Sequence, residues 1–329
     1  MKLLVLNHHE VEEMLTMSEC IAVMEEALAG LARGEAHQPL RTMTRPPEAA
    51  GILGLMPSYR GGAVPLFGLK EVCVFPGNPA RGLDTHLGAV LLHSGETGEL
   101  LAVMNASAIT AIRTAAVSAV ATRLLAREDA RVLAIIGAGV QAESHLRALP
   151  LVRTFDEVRI CSRTRAKAEK LAQSFAGSGL AIKVTDSVET AVRDAGVVTT
   201  VTGSREPVIR REWLAPGTHI NAVGSSIAVA RELDSATMAA GSLFVDRRES
   251  TLNESGDFLL ARQEGAIGDD AIRAEIGEIL TGTAQGRRSA SEITIFKSLG
   301  LAIEDLAAAA FLYDKAIASN RGSRIDFHP

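Results

Sequence analysis

Three features predict an α/β protein in which a doubly wound parallel domain is inserted into a mixed α+β domain. Apolar strands alternate with helical segments across residues 132–245. A glycine-rich turn at 137–142 follows the first of these strands directly and opens a helix. The flanking segments differ: hairpin-type turns crowd the chain before residue 100, and an Ala- and Leu-rich helix closes it after 298. The expected division is 1–114 plus 299–329 for the outer domain and 115–298 for the inserted one.

In chain order, LLVL at 3–6 reads as a strand. Ile21, Met24, Leu28 and Leu31 then recur at helical spacing until Gly34 stops the run. Residues 36–100 mix short β-like runs with turn signals, PP at 46–47, GG at 61–62, PGNP at 76–79 and SGETG at 94–98, which predicts antiparallel strands. A long helix is expected from Thr110, as N-cap, to Ala126. Strands at 132–136, 158–161, 181–184, 197–201, 220–223 and 243–245 then alternate with helices at 166–175 and 187–194. The last helix is expected over 298–319.

Composition limits the function. Of the 329 residues 47% are hydrophobic and 22% charged, with net charge −5, so the chain has the apolar content to bury real cores. An acidic balance and only 4% aromatics argue against nucleic acid as a partner, because backbone binding needs a basic surface and base stacking needs aromatic platforms. No run of about 18 apolar residues escapes a charge, so no membrane span is expected. Cys20, Cys73 and Cys161 are odd in number, widely spaced and outside any metal-ligand pattern, which suits a reducing cytoplasm. The N-terminus turns acidic too soon for a signal peptide.

Gly137-Ala-Gly139-Val140-Gln141-Ala142 matches G-x-G-x-x-G/A in the context that gives it meaning, a Rossmann strand–turn–helix. The first glycine permits the turn, the second lets backbone approach a pyrophosphate, and Ala142 lets helix and strand pack closely; the helix N-terminus then favours the phosphates. After the second strand an NAD site should present an acid. The sequence has Ser162-Arg163-Thr164-Arg165 instead, and a guanidinium suits a 2′-phosphate. NADP(H) is therefore the expected cofactor, with NAD(H) the alternative.

Candidate substrate contacts are weaker one by one. Lys70 sits in the hydrophobic strand FGLKEVCVF, where either an anion or an exposed strand edge accounts for it. Arg113 falls in the first turn of the expected helix, where the dipole opposes a cation; a carboxylate ligand or an ion pair with another segment would offset this. His86 suits a structural or a catalytic role, and Glu254 a helix cap or a contact to a substrate amine. Arg41 has no informative local context.

Taken together, the run GLKEVCVFPGNPARGLDTHLGAVLLHSGETGELLAVMNASAITAIRTAAVSAVAT at 68–122 resembles the ornithine cyclodeaminase/mu-crystallin family, on the ketimine-reductase side. GAGVQAESHL, HINAVGSS, LNESGDFLL and TIFKSLGLAIED continue the match in order. The resemblance implies a Rossmann domain joined to a substrate-binding and dimerisation domain, and an NAD(P)-dependent enzyme acting on amino-acid imines. It implies that Arg41, Lys70 and Arg113 surround a substrate carboxylate, with His86 and Glu254 lining the pocket. Gly139, Val140 and Gln141 would meet the pyrophosphate, and Ser162, Arg163 and Thr164 the adenosine ribose and its phosphate. Thr202, Val223, Gly224 and Ser298 would border the nicotinamide.

One departure bears on the reaction. The cyclodeaminases carry an aspartate in a Gly-Gly-Asp-x-Pro-Gly-Lys stretch, and its position here falls on Ser226, without the Pro-Gly-Lys. A serine is no carboxylate base near neutral pH. The expected activity is reduction of imino acids, such as the cyclic ketimine Δ1-pyrroline-2-carboxylate, to L-amino acids, with Lys70 and Arg113 as the catalytic residues. Ornithine cyclodeaminase, alanine dehydrogenase and a non-catalytic NADPH and small-ligand binder are the alternatives. A homodimer is expected, and no metal.

Overall fold

A computed structural model of the chain describes residues 2–327. It divides into two compact units, Met1–Arg113 with Leu301–Pro329, and Thr114–Gly300.

The first unit is built on a mixed sheet. Its strands lie in the order Ser323–Ile325, Leu3–Leu6, Leu100–Asn105, His86–Ser94, Leu66–Val74, Ile52–Arg60 and Ala36–His37, with Thr42–Thr44 also paired to Ile52–Arg60. The three nine-residue strands form an antiparallel meander in continuous register, so alternate side chains share a face. Met56, Ser58, Leu66, Lys70, Val90 and Leu92 are buried on one face. The helix Ala302–Ser319 packs over these strands, with the helix Met17–Ala32 against it. A Cβ at Gly68 would lie 3.0 Å from Leu306, which is why helix and sheet can approach so closely there. The opposite face carries Leu55, Pro57, Tyr59, Phe67, Leu69 and Leu91, apolar and only half-buried or exposed. Tyr59 and Phe67 pair across it with ring centroids 4.8 Å apart.

The second unit holds an eight-stranded parallel sheet, in the order Ile182–Val184, Glu157–Cys161, Val132–Ile136, Val197–Thr200, His219–Ala222, Thr294–Lys297, Ser242–Val245 and Ile272–Glu275. The chain winds outward from Val132–Ile136 in one direction and resumes from Val197–Thr200 in the other, so the topological switch lies between those two strands. Beyond Val197–Thr200, the strands His219–Ala222 and Thr294–Lys297 are buried along their whole length.

The α/β class and the doubly wound sheet agree with the sequence expectation, while several element ends move. The long helix runs Ala106–Leu125 and starts a turn earlier than Thr110, because the Asn105 side chain caps it by accepting from the Ala108 N–H at 3.0 Å. By length and composition this helix could cross a membrane, but 72% of its apolar window is buried inside the protein. The last helix begins at Ala302 rather than 298, since Gly300 adopts a left-handed turn (φ 77°) before it. Thr294–Lys297 and Ile272–Glu275 are strands that periodicity did not reveal, at four residues each.

Candidate active site

Lys70 pairs in register with Met56 on one side and Val90 on the other, on the sheet face beneath the helices. It is 3% exposed, so the exposed-edge alternative falls away. Its Nζ donates to Asp305 Oδ1 at 3.3 Å, and Arg113 Nε donates to the same oxygen at 3.0 Å. Arg113 Nη1 donates to Glu304 Oε2 at 2.7 Å. All four side chains are buried. Arg113 lies about two turns inside its helix. A helix dipole opposing it is therefore not its explanation; the ion pair with another segment is. Glu304 and Asp305 occupy the first turn of Ala302–Ser319, where the dipole favours carboxylates.

Desolvating these charges is costly, and only their mutual pairing holds them inside; removing one partner of such a cluster costs about 3–5 kcal/mol. Burial pushes the Lys70 ammonium down to about 8, with the charges of Arg113 and Arg41 acting the same way and Asp305 opposing. Two cations face two anions, and Arg41, half-buried beside Thr42–Thr44, adds a further positive charge. His86 opens its strand; burial and then the Lys70 and Arg113 charges lower its pKa. Glu254 ends the helix Arg248–Glu254 in the other unit.

In the second unit, Gly137 follows its strand with φ 129°, and a Cβ there would lie 2.6 Å from the Val201 carbonyl oxygen. Only glycine fits. Gly139 is the N-cap of the helix Val140–Ala148 and provides no side-chain cap for its first N–H groups; no atom lies within 4 Å of where its Cβ would stand. Ala142 is fully buried and Val140 is 61% exposed. This open cradle at a helix N-terminus fits a dinucleotide pyrophosphate. Ser162, Arg163 and Thr164 follow the strand Glu157–Cys161. Arg165 is engaged by Glu169 at 2.8 Å and by Asp186, whereas exposed Arg163 has no hydrogen bond or ion pair among the described residues. Thr202, Val223, Gly224 and Ser298 all lie just past the C-terminal ends of central strands, where doubly wound sheets bind ligands.

The family model for "Ornithine cyclodeaminase/mu-crystallin family" matches residues 1–320. The chain belongs to that family. The mouse ketimine reductase mu-crystallin is 43% identical over 94% of this chain and 96% of its own. The Δ1-pyrroline-2-carboxylate reductase of Thermococcus litoralis, solved with NADH and L-proline, is 39% identical with TM-score 0.95, covering 98% of this chain and 100% of that one. An archaeal alanine dehydrogenase dimer with bound NAD is 38% identical with TM-score 0.94, both chains covered completely.

This family member also carries charged residues that the sequence reading did not single out. Fully buried Glu232 accepts from the Thr200 and Thr202 hydroxyls and from the Thr202 and Gly224 N–H groups, all at 2.7 Å. It thereby ties together the ends of two central strands. Asp257 accepts from the Glu232 and Leu233 N–H groups and pairs with Lys297 at 2.9 Å; the lysine donates to the Ser225 carbonyl. Asp246 accepts from the Leu299 and Gly300 N–H groups and shapes the turn after Ser298. The available signals were a lysine ending the apolar run TIF and an acidic pair in an Ala- and Leu-rich helix. Ser226 is half-buried in the loop after His219–Ala222.

Gly139 allows a clean test of the cradle. Its backbone is extended (φ −103°, ψ −169°), so Gly139→Val meets no strain and should cost about 1 kcal/mol of stability or less. Its dinucleotide affinity, measured by calorimetry, should fall at least ~10-fold. Unchanged affinity would place the pyrophosphate elsewhere.

Proposed function

We propose that this protein is an NAD(P)H-dependent reductase of imino acids, with cyclic ketimines such as Δ1-pyrroline-2-carboxylate as substrates and L-amino acids as products. The observation that carries this reading is the buried Lys70–Arg113 pair, an anion-binding group in one unit of a chain whose other unit presents a dinucleotide cradle. The activities named for the mouse and Thermococcus relatives point the same way.

A bound reduced nicotinamide supplies hydride to the C=N carbon. The protein's own residues bind and orient the imino acid. Lys70, Arg113 and Arg41 meet the carboxylate, with the planar guanidiniums suited to bidentate pairing. Lys70, with its pKa brought down to about 8, can also hand a proton to the imine nitrogen. Ser226 lacks the carboxylate that cyclodeamination of ornithine would use.

NADP(H) is the preferred cofactor in this reading. Arg163 follows the second strand, where an acid would suit NAD, and among the described residues no carboxylate engages it. A homodimer is supported by the apolar outer face of the antiparallel sheet, since an unpartnered sheet face in water is normally polar. The dimeric archaeal alanine dehydrogenase is consistent with this.

Four measurements test the proposal. NADPH oxidation across a panel of cyclic ketimines, with pyruvate plus ammonia and L-ornithine plus NAD+ alongside, should show turnover on the ketimines. Lys70→Ala and Arg113→Ala should each lose at least ~100-fold in kcat/KM with NADPH binding kept, about the 3 kcal/mol expected of a buried charge contact; near-normal turnover in both would refute the assignment. Arg163→Ala should weaken NADPH about 10-fold and leave NADH unchanged; a wild type that prefers NADH would reverse the cofactor assignment. Leu69→Asp, placing a charge on the outer sheet face, should convert the sedimenting species from dimer to monomer, and a wild type already monomeric would remove the dimer.

A further inference from the structure

The Asp305 carboxylate is the junction of the buried cluster. One oxygen, Oδ1, accepts from both Lys70 Nζ (3.3 Å) and Arg113 Nε (3.0 Å), from two different elements. Met56 and Val90 flank Lys70 in register and give its ammonium no polar partner, so the strands beside it only desolvate it. We propose that Asp305 is a positioning residue that keeps Lys70 protonated and aligned with Arg113, so that one carboxylate prepares both the proton donor and the carboxylate anchor. The inference rests on the imino-acid reductase reading and deepens it.

Hydride from a reduced nicotinamide dinucleotide forms the C–H bond at the imine carbon while the C=N π bond breaks toward nitrogen. The Lys70 ammonium gives its proton to that nitrogen, the product is the amine, and the neutral lysine regains a proton from solvent. Only a lysine that enters protonated can do this. Within the cluster, burial and the cations Arg113 and Arg41 favour the neutral amine, and Asp305 is what opposes them.

The groups facing Lys70 are few. Arg113 comes from the helix Ala106–Leu125, Asp305 from Ala302–Ser319, and Arg41 from the segment before Thr42–Thr44. His86, on the adjacent strand, has its own pKa lowered by burial and then by the Lys70 and Arg113 charges. Glu304 acts through Arg113, and Cys20 of the helix Met17–Ala32 is a buried thiol whose pKa burial raises. Glu71, next on the strand, is exposed on the other face. None of the others is a carboxylate bonded to Lys70.

The test uses the full-length protein with ¹⁵N-lysine labelling, the Lys70 Nζ signal being assigned by its loss in Lys70→Gln. Titration is followed beside the pH profile of kcat/KM for Δ1-pyrroline-2-carboxylate. In Asp305→Asn, Lys70 should titrate about one pH unit or more below wild type, the usual effect of losing an adjacent opposite charge. Because the protonated form is the active one, the alkaline limb of kcat/KM should move the same distance to lower pH. Asp305→Glu should restore both. A folded Asp305→Asn with Lys70 and the limb unmoved overturns the proposal. Should the single variant not fold, the Lys70→Gln/Asp305→Asn double variant decides: charge balance predicts that it folds, and its failure to do so overturns the coupling. Lys70 titration needs no turnover, so a wild type inert on every imino acid would defeat the functional reading separately.

Discussion

Two cations and two carboxylates are enclosed where almost no water reaches, and the first unit is arranged around keeping them together. Lys70 could not sit between Met56 and Val90 without a carboxylate above it. That carboxylate could not sit there without the first turn of Ala302–Ser319 to carry it. The chain must therefore return from the parallel unit to cover the sheet begun near its N-terminus. Gly68 allows the contact by leaving Leu306 room. A hydrophobic cluster of the same volume would be at least as stable, because buried ion pairs rarely repay their desolvation.

The parallel unit obeys a different constraint. Its loops must leave strand ends open for a dinucleotide and still satisfy their own backbone donors. At Gly137 this is done by a φ open only to glycine, and at Gly139 by leaving space empty. At Gly224 a side chain would lie 2.2 Å from the Thr202 carbonyl oxygen, so those two loops run in direct contact, and Glu232 bonds both from beneath. A carboxylate with four donors is a rigid brace for an otherwise irregular surface.

Local patterns carried much of this into the sequence. Continuous apolar runs marked the parallel strands, and the Gly137–Gly139 turn was legible because strand and helix stood on either side of it. Lys70 stood out as a charge in a hydrophobic strand, but whether it was buried depended on Asp305, far along the chain. Arg113 stood near an expected helix start, but its helix begins earlier, at an Asn105 cap that also ends a strand. Glu232 and Lys297 escaped because their partners are backbone groups and side chains on distant elements, which no spacing reports. Motifs of local geometry were readable; long-range charge pairing was not.

The most direct test of the account is a crystal structure with L-proline and the oxidised dinucleotide bound together. The proline carboxylate is expected within hydrogen-bond distance of Lys70 Nζ and the Arg113 guanidinium, with Asp305 still accepting from both. Proline bound away from Lys70 and Arg113, with the buried cluster untouched, would contradict it.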